Sequence, residues 1–147
     1  IYVIMNFALF SCLLMLKRNN QYYEEIEDLS GLSKNHPLLS LSLLIILFSL
    51  AGIPPLAGFF AKFYIFKAVI EQSMYFLAII GLLSTVVAAF YYLRIIKIIY
   101  FDKEKEKYDH DHSLWLRFSL TFSTILILLY FIFPSQLIDV VSRINII

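Results

Sequence analysis

The segment Gly52-Ile-Pro-Pro-Leu-Ala-Gly-Phe-Phe-Ala-Lys62 constrains this chain more than any other stretch. It sets two adjacent prolines, two glycines and a lysine between apolar runs, Leu43-Leu-Ile-Ile-Leu-Phe48 before and Phe63-Tyr-Ile-Phe66 after. In water this would be a turn followed by a surface charge. The chain, however, is 61% hydrophobic with a mean hydropathy of +0.79, against about 45–50% apolar residues in soluble domains. It therefore reads as an all-α, polytopic transmembrane helix bundle, with this segment at membrane depth. A lysine there is costly and is tolerated where it faces a protein interior or a water-filled path, so it marks a functional site. Prolines beside it free backbone carbonyls, as in the broken helices that build ion sites in transporters.

The rest of the chain divides by span length, since a crossing takes roughly 20 mostly apolar residues. About five membrane segments follow, in one transmembrane domain over 1–147: 1–16, 37–53, 54–72 (broken), 73–101 and 113–133. Polar loops cover 17–36 and 102–112, Ser30-Gly31-Leu32-Ser33 reads as a turn, and Pro37 suits a helix start. The tail 134–147 carries Asp139 and Arg143 among apolar residues, as an interfacial segment does. Residues 37–72 are taken as two spans, because one straight helix of that length would be about 54 Å, well beyond a ~30 Å core. The loops at 53–54 and 102–113 then share a side. The lysines of 102–113 put that side in the matrix or cytoplasm, with the C-terminus opposite.

The charged residues separate by depth. Lys62 lies about 12 Å into its span, and its side chain reaches too little to snorkel out. A buried amine can switch between charged and neutral forms, which suits a proton relay; the competing reading is a static ion pair with a carboxylate on another helix. Lys67 sits near the span's end, four residues before Glu71, and the two are spaced to pair. Arg94 and Lys97 fall in the last turns of their helix and complement its C-terminal dipole. Tyr91, Tyr92 and Arg94 are candidates for interface or structural roles. Asp109-His110-Asp111-His112 has metal-binding residue types, but it sits among lysines and glutamates in a hydrated loop, so no metal is expected. A net charge of +1 gives no nucleic-acid signal, and the single cysteine, Cys12, excludes an internal disulfide.

With Lys62 in hand, the run from Leu50 to Tyr64 resembles the signature of the antiporter-like, proton-pumping membrane-arm subunits of respiratory complex I. NADH dehydrogenase subunit 2 is the nearest match. Phe90-Tyr-Tyr-Leu-Arg94, followed by Tyr100-Phe-Asp102, is similar to that subunit at the expected spacing. The resemblance covers about 37–133 and implies several things. Lys62 would be the lysine at the break of a discontinuous helix, with Pro54, Pro55 and Gly58 making a break near Gly58 to Lys62. The chain would be the C-terminal part of a subunit of about fourteen helices. Its non-Met start would suit a split gene whose N-terminal partner is a separate chain, or a fragment. Partners would be other complex I membrane subunits and lipids. No cofactor would sit in this chain, while the assembly would use FMN, iron–sulfur clusters and ubiquinone for NADH:ubiquinone reduction. Residue usage rich in Ile, Phe, Tyr and Lys suits A/T-rich codons and points to the mitochondrial inner membrane rather than a bacterial plasma membrane. A multi-subunit cation/proton antiporter shares the lysine motif, although Phe63 and Tyr64 stand where acidic residues are expected in the larger relatives. A purely structural membrane chain is the remaining alternative.

Overall fold

In the computed structural model, residues 1–18, 21–22, 25–103 and 114–132 are described. They form a helix bundle: α1 (Tyr2–Met15), α2 (Leu32–Asn35), α3 (Pro37–Ala51), α4 (Ala57–Glu71), α5 (Tyr75–Phe101) and α6 (Leu114–Ile132). A short hairpin pairs β1 (Lys17–Arg18) with β2 (Gln21–Tyr22). Among the described residues α5 is the helix long and apolar enough to cross a membrane unaided.

Burial is uneven among the helices: α1 and α3 bury much of their length, α4 buries only Ala57 and Gly58, and α5 buries Ala78 and three residues near its end. In α1 the buried stripe is Met5, Ala8, Cys12 and Met15, at helical spacing, while Val3, Phe7 and Phe10 face outward. The centre of the bundle is α3, whose Leu43, Ile46 and Leu47 are almost wholly buried. Small polar residues help the helices approach: Ser11 of α1 and Ser119 of α6 share a hydroxyl–hydroxyl hydrogen bond of 2.8 Å.

Segment 17–36, expected as a loop, is more ordered than that. Besides the hairpin it holds a 3-10 turn at Ile26–Leu29 and the short α2. The reason is burial: Leu29 and Leu32 insert beneath α3 and α5, and Gly31 takes a left-handed φ of 71° that L side chains resist. The Gly31 N–H donates to Ile98 O at 3.2 Å, tying the segment to the end of α5.

That tie corrects the arrangement expected for 37–72. Both parts are helical at nearly the expected bounds, but they run end to end rather than as two crossings. The partners along α5 show it. Ile98 meets Gly31; Tyr92 and Ile95 share a cavity with Leu43 and Leu47 of α3; Leu82 and Thr85 share one with Gly52 and Phe66. Position falls along α5 as it rises through α3 and then α4. Both helices are therefore antiparallel to α5, one after the other, and the 27 residues of α5 cover about 40 Å. It follows that 25–36 and the end of α5 lie at the same end of the bundle. The expectation that the 53–54 turn shares a side with 102–113 is wrong, since that turn is at mid-height. The length argument failed because two 15-residue helices joined by a break need not be straight or perpendicular to the membrane. Residues 104–113 and 133–147, with the Asp109–His112 cluster and the C-terminal tail, lie outside the described residues.

Candidate functional site

The site is built at the junction of α3 and α4. Helix α3 ends because Gly52 adopts a left-handed φ of 85°, open to glycine without a Cβ penalty. Its N–H donates to Phe48 O and Ser49 O, and the Ile53 N–H donates to Phe48 O at 3.1 Å. This C-terminal motif satisfies the carbonyls of Phe48 and Ser49. It leaves the last two helical carbonyls, Leu50 and Ala51, without an amide donor. Pro54 and Pro55, joined by a cis peptide bond, carry no N–H and cannot extend the helix. The chain resumes helical geometry at Ala57.

Lys62 takes both orphan carbonyls. Its Nζ donates to Leu50 O at 2.9 Å and to Ala51 O at 3.1 Å. A cation at this place also meets the negative end of the α3 dipole. Gly52 makes room for the stem: a Cβ there would stand 3.0 Å from Lys62 Cδ. On its other side Lys62 lines a cavity of about 470 Å³ with Phe59, Phe63, Phe66, Leu82 and Thr85, and Lys67 and Glu71 stand at the α4 end of it. Opposite Lys62, Thr85 is ten residues into α5, so the amine sits about 15 Å along that helix from its start.

The break is not where the sequence suggested. Helix α4 is continuous from Ala57 to Glu71, and both Gly58 and Lys62 lie inside it; the interruption is at 52–56. The two prolines act there as expected. Gly58 has another job. A Cβ on it would come within 1.7 Å of Ser49 O, so its missing side chain permits backbone-to-backbone approach of α4 to α3 instead of a departure from helical geometry.

The remaining candidates are elsewhere. Lys67 Nζ lies 3.8 Å from Glu71 Oε1, and both side chains are more than half exposed. Arg94 Nη2 lies 3.7 Å from Glu27 Oε1, again half-exposed, and fastens the end of α5 to the 3-10 turn. Tyr92 packs against the core, whereas Tyr91 is exposed and meets Phe90 edge-on at 5.7 Å. Lys67 and Glu71 border the far end of the Lys62 cavity, whereas Arg94, Tyr91 and Tyr92 do not line it. Two contributors were missed from the sequence, Ser49 and Thr85. A hydroxyl in the last turn before Gly52 was the available signal for Ser49; Thr85 had none, because its relevance depends on the antiparallel register of α5.

Comparison with known proteins gives this geometry a family. Residues 1–88 match the family described as NADH:quinone oxidoreductase/Mrp antiporter, TM. The chain is 83% identical over its whole length to the NADH-quinone oxidoreductase subunit N of Pelagibacter ubique, covering 31% of that protein. It is 48% identical to subunit N of Parvibaculum lavamentivorans, over 94% of this chain and 29% of the relative. The chain thus spans about a third of the length of these relatives. A chain in the structure of respiratory complex I from Thermus thermophilus with bound aureothin superposes with a TM-score of 0.77 at 27% identity, over 91% of this chain and 30% of that one. The chain accordingly belongs to the NADH:quinone oxidoreductase/Mrp antiporter transmembrane family and is similar to its subunit N members.

Proposed function

We propose that this chain is part of a proton-translocating membrane-arm subunit of an NADH:quinone oxidoreductase, and that Lys62 relays the proton. The observation that carries the reading is the pair of bonds from Lys62 Nζ to Leu50 O and Ala51 O. Carbonyls stabilise an ammonium through their dipoles without a counter-charge. Two carbonyls can thus hold the proton at the break without a carboxylate, the partner a static ion pair requires. Two ion pairs among the described residues, Lys67–Glu71 and Arg94–Glu27, do not include Lys62. The adjoining cavity gives water a place to meet the amine.

The flavin, iron–sulfur and quinone chemistry belongs, in this reading, to other parts of the assembly. The rest of the subunit, on the same polypeptide or on a separate one, would cover the exposed apolar residues of α4 and α5 such as Phe63, Phe76 and Leu83. The mitochondrial placement expected from residue usage finds no support in the relatives reported above, which are bacterial; A/T-rich codon usage is not confined to organelles. We therefore place the chain in a bacterial plasma membrane. Seven of the nine Lys and Arg among the described residues (Lys17, Arg18, Lys34, Arg94, Lys97, Lys103 and Arg117) sit at the end of the bundle holding α2 and the end of α5. Lys/Arg bias puts that end in the cytoplasm. The family also embraces cation/proton antiporters, but the high identity to subunit N favours the respiratory assignment.

The test is proton translocation per NADH oxidised by the reconstituted complex carrying Lys62→Ala. An assembled variant with undiminished pumping sinks the relay.

A further inference from the structure

Lys62 is not alone in bridging the break. Ser49, in the last turn of α3, is fully buried, and its hydroxyl makes two bonds to other elements. It accepts the Gly58 N–H at 3.0 Å and donates to Met5 Sδ of α1 at 2.9 Å. The Gly58 N–H belongs to the first turn of α4, whose amide donors have no partner within their own helix. The residue at the N-cap of α4, Leu56, makes no side-chain cap. A side chain of α3 thus caps α4 from across the break. Gly58 and Lys62 are four residues apart, so they lie one above the other on the same face of α4. Both face the end of α3: Gly58 meets Ser49, and Lys62 meets Leu50 and Ala51. The hold on Gly58 therefore sets where the Lys62 amine arrives.

We propose that Ser49 is a positioning residue for Lys62: its hydroxyl clasps the first turn of α4 to α3 and α1, so that the lysine amine meets the two free carbonyls of α3. The proposal rests on the relay reading of Lys62. Ser49 does not itself exchange the transported proton. Without its hydroxyl the buried Gly58 N–H loses its acceptor, the first turn of α4 is released to seek another, and the one-turn register between clasp and amine is no longer fixed.

Ser40 supplies the control. It is on the same helix and equally buried, but its Oγ has no hydrogen-bond partner among the described residues. The experiment uses the whole NADH:quinone oxidoreductase in vesicles, bearing S49A, K62A, the double variant or S40A. Proton translocation and quinone-coupled turnover are measured, with NADH oxidation by a water-soluble acceptor reporting assembly. Expected for S49A is a fall in coupled turnover of roughly two- to tenfold, the scale of one net hydrogen bond, in an assembled complex, with S40A at the wild-type level. On the K62A background S49A should lower the residual turnover no further, because a residue acting through Lys62 has nothing left to position. A merely structural role would instead give independent effects that multiply, and that result overturns the proposal, as does wild-type pumping by S49A. Should S49A fail to assemble, S49C keeps the size and weakens the acceptor; reduced coupling in assembled S49C supports the clasp, and wild-type coupling overturns it. Normal pumping by K62A would strike down the relay reading itself, a result distinct from additivity between the two sites.

Discussion

Lys62 shows how much a single residue's environment changes its meaning. The sequence identified it as a lysine too deep to snorkel, and left open whether its partner was a carboxylate. The structure supplies two helix-end carbonyls, left over because the Gly52 motif satisfies the two preceding ones. An arginine would satisfy the same carbonyls but stays protonated at any working pH. Lys62→Ala and Lys62→Arg are therefore both expected to cut proton translocation and coupled quinone reduction at least tenfold in an assembled complex, the arginine variant keeping the better assembly. Lys67→Ala is expected to remain within about twofold, since its exposed pair with Glu71 is of a kind that contributes at most ~1 kcal/mol. Coupled NADH oxidation in vesicles checks all three.

At the scale of the element, the break is made by two glycines with different tasks. Gly52 needs its left-handed backbone, whereas Gly58 needs to have no Cβ. A Cβ on Gly58 at 1.7 Å from a backbone carbonyl cannot be relieved by a rotamer change; α4 must move. Gly58→Ala is therefore expected to destabilise by more than about 2 kcal/mol, as overpacking in a well-packed core does. Gly52→Ala is expected to cost about 1–2 kcal/mol for the left-handed conformation, with only the flexible Lys62 stem in the way. Thermal inactivation of the assembled complex should rank them wild type, Gly52→Ala, Gly58→Ala. The opposite ranking would contradict the close approach of α4 to Ser49. The sequence marked both glycines, but spacing alone does not say which backbone runs past a glycine; that needs the fold.

For the whole molecule the decisive fact is that α3 and α4 lie end to end along α5. Segment 25–36 and the end of α5 then share one end of the bundle, and the expected lysine and arginine bias becomes stronger than when the two loops were set on opposite sides. Single cysteines introduced at Lys34 and at Lys103 are expected to be labelled by an impermeant maleimide from the cytoplasmic side, and one at Glu71 from the other. Native Cys12 is fully buried and leaves the background quiet. Labelling of positions 34 and 103 from opposite sides would break the tandem arrangement.

What the sequence determined by itself follows from local chemistry. Apolar run lengths located the helices to within a few residues; prolines without N–H groups dictated that no helix crosses 54–55; and the motif around Lys62 named the family. What only the tertiary structure decided depends on residues far apart in the chain. The bond from Gly31 to Ile98 put two loops at one end, the register of α5 brought Thr85 to the cavity beside Lys62, and the packing of α4 on α3 set Gly58 against Ser49. Hydrophobicity says how long a helix is and whether it is buried, but in a chain apolar on nearly every face it carries no information about which face meets which neighbour. That choice is made by the few polar groups that must find partners, and their partners are known only once the helices are packed.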